Sequence, residues 1–357
     1  MAILEAPDVR RAASRLARLL TTPLVPSDYL DLFAPLRSPT QLRARVVEVR
    51  PETRDAVTLV LEPGRGWQGH TAGQYVRIGV DVDGVRHWRA YSLTAPPRQD
   101  GRITTTVKAI TDGVVSNYLV RRARPGLLVQ LDQATGEFVL PQPRPAKVLF
   151  LTAGSGITPV MGMLREGLDT LPDAVLLHCA PARDDVIFGG ELRRLASSSA
   201  LTLIERHDDT HGMLQMDQLA DLVPDYAERE TWVCGPTGLL DAAEEHWAAR
   251  HIGDRLRTER FRPTIVVAGD GGSIRFGKSD VDVLADAATP ILTAGEAAGV
   301  LMPSGCRMGI CFGCVVPLRE GAVRDLRTGE LTTAAAGDGV KIQTCISAAA
   351  GDCHIDL

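Results

Sequence analysis

The sequence predicts a multidomain chain: an antiparallel β-barrel, then an α/β domain on a parallel sheet, then a small cysteine-bearing domain. Three observations predict it. Residues 41–143 are short β-branched runs separated by turn residues. Residues 144–255 alternate strand-like and helix-like patterns. Beyond them, three cysteines fall within the nine residues CRMGICFGC, 306–314.

The whole chain bounds these parts. Its 357 residues suit two or three domains. A net charge of -5 offers no basic face for nucleic acid. No apolar run approaches the roughly 18 to 20 residues of a transmembrane helix. The start, MAILEAPDVRRAASRLARLL, has early acids and no long apolar core, unlike a secretory signal. The expected location is therefore cytoplasmic. In that reducing setting seven cysteines argue against a disulfide framework and for metal ligation or chance.

Residues 1–40 read as an N-terminal extension. Arg10, Arg11, Arg15 and Arg18 alternate with Leu16, Leu19 and Leu20 at helical spacing, until Pro23, Pro26, Pro35 and Pro39 interrupt. One reading is a short helix packed on the next domain. The other is a basic amphipathic helix in peripheral contact with a membrane or a partner.

In the barrel segment the runs are LRARVVEVR, AVTLVLEP, QYVRIGVDVDG, RHWRAYSLT, GRITTTVKAI and LLVQLDQATGEFVLP, with Asp-Gly turns at 83–84 and 112–113. Near-regular spacing of such runs suggests an antiparallel barrel. PQPRP, 141–145, reads as a stiff linker. The strands expected next are AKVLFLTAG, AVLLHCA, ALTLIER and ETWVCGP. The helices expected between and after them are ITPVMGMLREGL, VIFGGELRRLA, MDQLADLV and TGLLDAAEEHWAAR. A second linker is expected over 256–264. The last domain, 265–357, has strands expected at TIVVAG and SIRFGK.

The cysteine spacing is specific. Cys306, Cys311 and Cys314 are followed by Cys345 after 30 intervening residues. C-x4-C-x2-C with a distant fourth cysteine is the plant-type spacing for a [2Fe–2S] cluster. Four thiolates hold two irons, and Gly305, Gly309 and Gly313 let the backbone wrap the sulfides. A structural zinc site usually takes two close cysteine pairs, and Cys306 to Cys311 is too wide for one. Of the other thiols, Cys179 reads as a small core hydrophobe. The segment resembles the plant-type ferredoxins, and the resemblance implies a β-grasp fold around the loop.

Two stretches of the barrel segment suit a flavin. Arg89-Ala90-Tyr91-Ser92 offers a cation, an aromatic ring and a hydroxyl. Gly113-Val114-Val115-Ser116 offers a glycine turn at a helix start, whose amides suit a phosphate. Gly154-Ser155-Gly156-Ile157-Thr158-Pro159 stands between a strand and a helix, where its glycines admit a pyrophosphate and Pro159 suits a first helical turn. Cys234-Gly235-Pro236 ends a later strand of that sheet, where open α/β sheets bind ligands.

These four patterns, in this order, resemble the ferredoxin–NADP reductase superfamily over 41–255. With the ferredoxin-like segment, the chain resembles a self-contained oxygenase reductase. The resemblance implies that the first pair of motifs binds flavin, that the glycine loop binds the pyrophosphate of the nicotinamide nucleotide, and that the Cys-Gly-Pro turn borders the nicotinamide. It makes Ser92 and Cys234 the catalytic positions, with Ser92 at the reactive flavin edge, Thr158 and Cys234 bordering the nicotinamide, and Tyr91 over a face of the flavin ring. Gly113 through Leu119, followed by Gly136-Glu137-Phe138, resembles the FAD branch more than the FMN branch. Arg183 and Arg206 stand where a 2′-phosphate would be read, which favours NADPH; Glu205 beside Arg206 departs from that pattern and suits the ribose hydroxyl of NADH. His207 and His211, four apart in the polar stretch HDDTHG, read as a solvated loop rather than a metal pair.

The expected electron path is NAD(P)H to FAD to [2Fe–2S] to an outside acceptor. No paired carboxylates or Ser/His/Asp set stand out, and none is needed. The stretch from Arg307 to Glu330 resembles ferredoxin-fused reductases serving membrane di-iron desaturases and hydroxylases, placing Gly321, Arg324 and Arg327-Thr328-Gly329 near a docking face. A Rieske-type terminal oxygenase or a cytochrome P450 would accept electrons from a similar module. A flavin/iron–sulfur redox sensor is the non-enzyme alternative. A nitric oxide scavenger reductase would lack the four cysteines.

Overall fold

The computed structural model describes residues 33–38, 41–111, 113–198, 201–261, 270–305, 307–309 and 312–357. The arginine-bearing N-terminal segment, Asp112, the TIVVAG run, Cys306 and Cys311 lie outside the described residues.

The first sheet is six-stranded: β1 (Arg43–Thr53), β2 (Ala56–Pro63), β3 (Tyr75–Val82), β4 (Val85–Ser92), β5 (Ile103–Lys108) and β6 (Leu128–Leu131). Its order is β4-β3-β6-β1-β2-β5, with antiparallel neighbours. An isolated bridge between Leu93 and Thr105 joins the two ends, closing the sheet into a barrel. Two buried threonines of β5 are satisfied by threonines of neighbouring segments: the Thr106 hydroxyl lies 2.7 Å from that of Thr58 on β2, and the Thr104 hydroxyl 3.0 Å from that of Thr94, just past β4. Val46, Leu59, Leu61, Val76 and Ile78 fill the interior. Helix α1 (Val114–Arg122) plugs one end with Val115 and Leu119.

The second sheet is parallel throughout: β7 (Lys147–Ala153), β8 (Asp173–Ala180), β9 (Thr202–His207), β10 (Glu230–Cys234) and β11 (Leu256–Glu259), in the order β11-β10-β7-β8-β9. Helices α2 (Ile157–Gly167), α3 (Gly189–Ser197) and α4 (Thr237–Ala249) cover its faces. Residues on β7 alternate between two cores, Val148 and Phe150 on one face, Leu149 and Leu151 on the other, as burial on both sides requires. The stretch expected as a linker over 256–264 therefore needs correction at its start. Leu256–Glu259 is the fifth strand, its charges neutralised at an edge: Arg257 pairs with Glu230 at 2.6 Å and covers the Trp232 ring at 4.8 Å. MDQLADLV also departs from expectation. It forms a 3₁₀ turn, Met216–Gln218, and one helical turn, Leu219–Leu222, before Pro224.

The third sheet contains β12 (Gly272–Phe276), β13 (Val281–Ala285), β14 (Val315–Asp325), β15 (Leu331–Ala334), β16 (Lys341–Gln343) and β17 (Ser347–Ile355). β12 and β17 run parallel, and the other pairs are antiparallel. Helix α5 (Ile291–Ala297) crosses it, burying Ile291 and Leu292. A mixed sheet with one crossing helix is the β-grasp arrangement expected for this domain.

The barrel and the parallel sheet are fastened together at α2. A Cβ on Gly162 would stand 2.5 Å from the Leu93 carbonyl oxygen, so only glycine allows this approach. Arg165 on α2 donates to the Thr94 carbonyl at 2.5 Å while pairing with Glu191 at 2.6 Å. Trp232 Nε1 donates to the Val139 carbonyl at 3.3 Å.

Candidate functional site

Three motif groups converge on strand β4 and the carboxyl edge of the parallel sheet. His87, Arg89 and Tyr91 alternate onto one face of β4. Ala90 pairs with Arg77 of β3. The Arg89 guanidinium donates to the Trp88 carbonyl at 2.7 Å, and no carboxylate pairs with it among the described residues. Burial, and then the nearby Arg307 charge, pull its pKa down to about 10. Burial pushes the Tyr91 hydroxyl up. Ser92 is buried, and its Oγ has no partner in the protein. A shielded hydroxyl without a partner and a half-buried cation without an acid suit a ligand with a polar edge and an anionic tail.

At the α1 start the chain closes on itself. Ser116 Oγ donates to the Gly113 carbonyl at 3.3 Å, and Asn117 Nδ2 donates to the Gly113 and Ile110 carbonyls at 2.8 Å each. A Cβ on Gly113 would lie 2.3 Å from Ser116 Oγ. No side chain caps the helix, so the leading amides of Val114, Val115 and Ser116 stand ready for a phosphate. Ser116 Oγ thus locks the turn that opens the helix.

The glycine loop lies at the switch point, where β7's neighbours β8 and β10 lead in opposite directions. Gly154 is left-handed, with φ +54, and open space lies where its Cβ would be. A Cβ on Gly156 would stand 2.0 Å from the Cys234 carbonyl oxygen. That contact welds the glycine loop to the Cys-Gly-Pro turn; Gly235 in turn leaves only 3.2 Å to the Ala153 nitrogen. Ile157, Thr158 and Pro159 are buried at the head of α2, and Thr158 Oγ1 donates to the Ser155 carbonyl at 2.8 Å. Pro236 precedes α4, which also lacks a side-chain cap. Cys234 is fully buried, and burial raises its thiol well above the ordinary value. It stays a neutral thiol at pH 7 and shapes the crevice rather than attacking anything.

Sequence reasoning missed a transverse row at this edge. Glu259, Cys234, Thr152, His178 and Glu205 stand in register across all five strands. His178 Nδ1 lies 2.8 Å from Thr152 Oγ1, and burial lowers its pKa to about 4, so it is neutral. Glu259 Oε2 is shielded without a partner, and burial raises its pKa to about 8. Glu259 stood in the stretch expected as a linker, and its place in the row follows only from the pairing of that stretch with β10.

The Glu259 shift has a pH consequence. The folded chain keeps this proton up to about 8, whereas the unfolded carboxyl loses it near 4.5. In that window the native state binds more protons, so this group's contribution to stability falls as pH rises. Glu259→Gln is expected to flatten the decline in Tm between those pH values; parallel Tm curves for the two proteins would contradict it.

The two predicted phosphate-reading arginines differ in setting. Arg183 is exposed and lines a cavity of about 330 Å³ with Arg193, Glu191 and Glu52. Arg206 Nη2 reaches the His211 carbonyl at 3.1 Å, and its Nε is shielded without a partner. Glu205 is paired with Arg193 at 3.1 Å, so its charge does not stand alone. His211 Nδ1 accepts from the His207 amide at 3.1 Å, which makes that histidine pair a loop closure.

In the third domain Cys314 and Cys345 are buried. Thr344, adjacent to Cys345, donates to the Cys314 carbonyl through its amide at 3.3 Å and its hydroxyl at 3.1 Å, tying the two segments together. Arg307, Gly309 and Phe312 all have positive φ, the tight winding a wrapped cluster needs. A Cβ on Gly309 would lie 2.5 Å from Arg327 Nη1. Arg327 is held by Asp325 at 3.0 Å, and Gln343 Nε2 reaches the Gly309 carbonyl at 3.0 Å. The Arg327 turn thus braces the cysteine loop. Buried thiols in a loop wound around glycine fit a [2Fe–2S] cluster, which Cys314 and Cys345 would hold with Cys306 and Cys311.

Comparison with known proteins agrees with this arrangement. Residues 44–140 match the oxidoreductase FAD-binding domain, 150–245 the oxidoreductase NAD-binding domain, and 276–350 the 2Fe-2S iron-sulfur cluster binding domain. An NADPH oxidoreductase of Mycobacterium tuberculosis is 47% identical over 354 residues, covering 97% of this chain and 92% of that protein. The ferredoxin reductase component of 3-ketosteroid-9-alpha-monooxygenase from Mycolicibacterium smegmatis is 31% identical, covering 79% of this chain and 87% of its own. The solved structure of phthalate dioxygenase reductase superposes with a TM-score of 0.64 at 22% identity, over 89% of this chain and 98% of that one, a likeness of fold.

Proposed function

The chain belongs to the ferredoxin–NADP reductase superfamily, with FAD-binding, NAD-binding and 2Fe–2S domains in that order, and from this premise we propose that it serves a terminal oxygenase as its reductase. It is an oxidoreductase drawing electrons from NAD(P)H. Bound flavin supplies the conversion between a two-electron nicotinamide donor and a one-electron cluster. This chain's residues supply the placement.

One observation carries the reading: β4 stands between the other two sites. Leu93, just past Ser92, packs on Gly162 of α2, the helix that the glycine loop opens. Arg89, three residues before Ser92, lies within electrostatic reach of Arg307 in the cysteine loop. Arg89 and the α1 amides would hold the flavin's phosphates, and Ser92 Oγ its reactive edge. The Gly154–Pro159 loop would hold the nucleotide, with Cys234 and Thr158 beside the nicotinamide. Purified holoprotein is expected to reduce cytochrome c continuously while NADPH lasts. A single stoichiometric bleach followed by arrest would mean a sensor instead.

NADPH is the proposed donor. Arg193 pairs with Glu205, and Arg206, whose Nε is shielded without a partner, would meet a 2′-phosphate. Arg206→Ala is expected to raise KM for NADPH about tenfold, the scale of one lost charge-assisted contact, with NADH within about twofold. Equal effects on both nucleotides would count against it.

The acceptor belongs to this proposal as well. The related monooxygenase component supports an oxygenase. A cytochrome P450 or a membrane di-iron desaturase would be reached through the same cluster face, where Phe312 is exposed. No helix among the described residues is long and apolar enough to cross a membrane. A cytoplasmic site would suit the thiolates of the cysteine loop.

A further inference from the structure

We infer that Arg193 of α3 sets the nucleotide preference: by holding the Glu205 carboxylate, it keeps an acid suited to a ribose hydroxyl from opposing a 2′-phosphate. The inference deepens the reading of NADPH as the donor and rests on it.

Glu205 stands on β9 near the carboxyl edge of the parallel sheet, in register with His178. An acid in such a place suits the ribose hydroxyls of NADH, and its charge disfavours a phosphate on the same sugar. Yet Arg206, which suits that phosphate, is its neighbour in the chain. The two side chains favour different nucleotides, and α3 resolves the conflict. Arg193 Nε donates to Glu205 Oε2 at 3.1 Å. His207 Nε2 stands farther from the same oxygen, at 3.8 Å. The Glu205 side chain is 13% exposed, so salt and water screen its charge little and the guanidinium beside it governs its field.

The first turn of α3 makes room for that guanidinium. Gly189 is four residues before Arg193, on the same helix face. A Cβ on Gly189 would lie 3.2 Å from Arg193 Nη1 and 3.3 Å from Nη2, and would press the group away from its place. Arg193 also shares with Arg183 the wall of the cavity of about 330 Å³. It therefore joins the settings of both arginines expected to read a 2′-phosphate. The pair with Glu205 is a single contact rather than a closed fork, because Arg193 Nη2 and Glu205 Oε1 are each shielded without a partner. Arg193 acts through Glu205 and is a positioning residue. With it in place the acid is offset and Arg206 decides; without it Glu205 decides, in favour of NADH.

The test uses full-length holoprotein and reads binding without turnover. Calorimetric titration with adenosine 2′,5′-bisphosphate and with adenosine 5′-monophosphate isolates the 2′-phosphate. Arg193→Met is expected to lower the preference for the bisphosphate about tenfold, the scale of one charge-assisted contact, and to leave the monophosphate bound at least as tightly as in wild type. Combining Arg193→Met with Glu205→Gln should return the preference to within about twofold of wild type, because the opposing charge is gone. An unchanged preference in Arg193→Met, or equal weakening of both ligands, overturns the inference. So does a double variant as poor as the single one, which would mean that Arg193 meets the phosphate directly. Should Arg193→Met fail to fold, as read from a melting curve, Arg193→Lys against Arg193→Gln decides, with equal preferences overturning the inference. Arg206→Ala is the control. If it leaves the preference unchanged, the NADPH reading itself fails, a separate result from the failure of Arg193 alone.

Discussion

Cys345→Ser is expected to remove the visible absorption of the cluster and to reduce NADPH-driven cytochrome c reduction by at least about tenfold, since a serine hydroxyl is a poor substitute for a thiolate at iron. Reduction of the flavin by NADPH should persist. The reason is local. Cys345 is buried, and Thr344 beside it is bonded twice to the Cys314 carbonyl. The substitution therefore strikes the ligand set while the loop keeps its backbone ties. The flavin and nucleotide motifs stand on two other sheets, and distant sites act independently to first order. Stopped-flow absorbance separates the two signals. Loss of flavin reduction along with cluster absorption would show that the modules do not function separately.

Gly156→Ala should damage the opposite end of the path. The added Cβ would stand 2.0 Å from the Cys234 carbonyl oxygen, 2.4 Å from its carbon and 2.7 Å from the Gly235 nitrogen. All three are backbone atoms, and no rotamer change can relieve them. Their strand is anchored in the sheet by the register of Cys234 with Thr152. Overpacking of this kind costs roughly 1–3 kcal/mol of stability. The larger effect is expected on kcat/KM for NADPH. Moving the Cys-Gly-Pro turn by about 1 Å from the glycine loop is enough for a loss of roughly a hundredfold. FAD content and cluster absorption should remain near wild type, because β4, α1 and the cysteine loop are untouched. Steady-state kinetics alongside a melting curve would check both halves; wild-type kcat/KM in a folded variant would contradict them.

The parts legible in the sequence were those written in spacing. Cysteines at 306, 311, 314 and 345 state a ligand pattern without tertiary information. Gly154-Ser155-Gly156 and Cys234-Gly235-Pro236 were legible as turns because glycine and proline constrain the backbone locally. Other features depend on what lies across the fold. Leu256–Glu259 alternates polar residues in a way that resembles a linker, and only pairing with β10 makes it a strand. MDQLADLV carries helical spacing, yet Pro224 leaves room for a single turn. The partnering of Glu205 by Arg193 joins β9 to α3, and a linear reading saw only an acid where NADPH would not want one.

The central claim is that one chain carries flavin and cluster side by side, filled by a nicotinamide nucleotide. An absorption spectrum of anaerobically purified protein, supplied with iron and FAD and then titrated with NADPH, tests it most directly. The account expects flavin and iron–sulfur bands together, both bleaching on addition of NADPH. A protein with no cluster band, or with flavin that bleaches while an intact cluster stays oxidised, would contradict it.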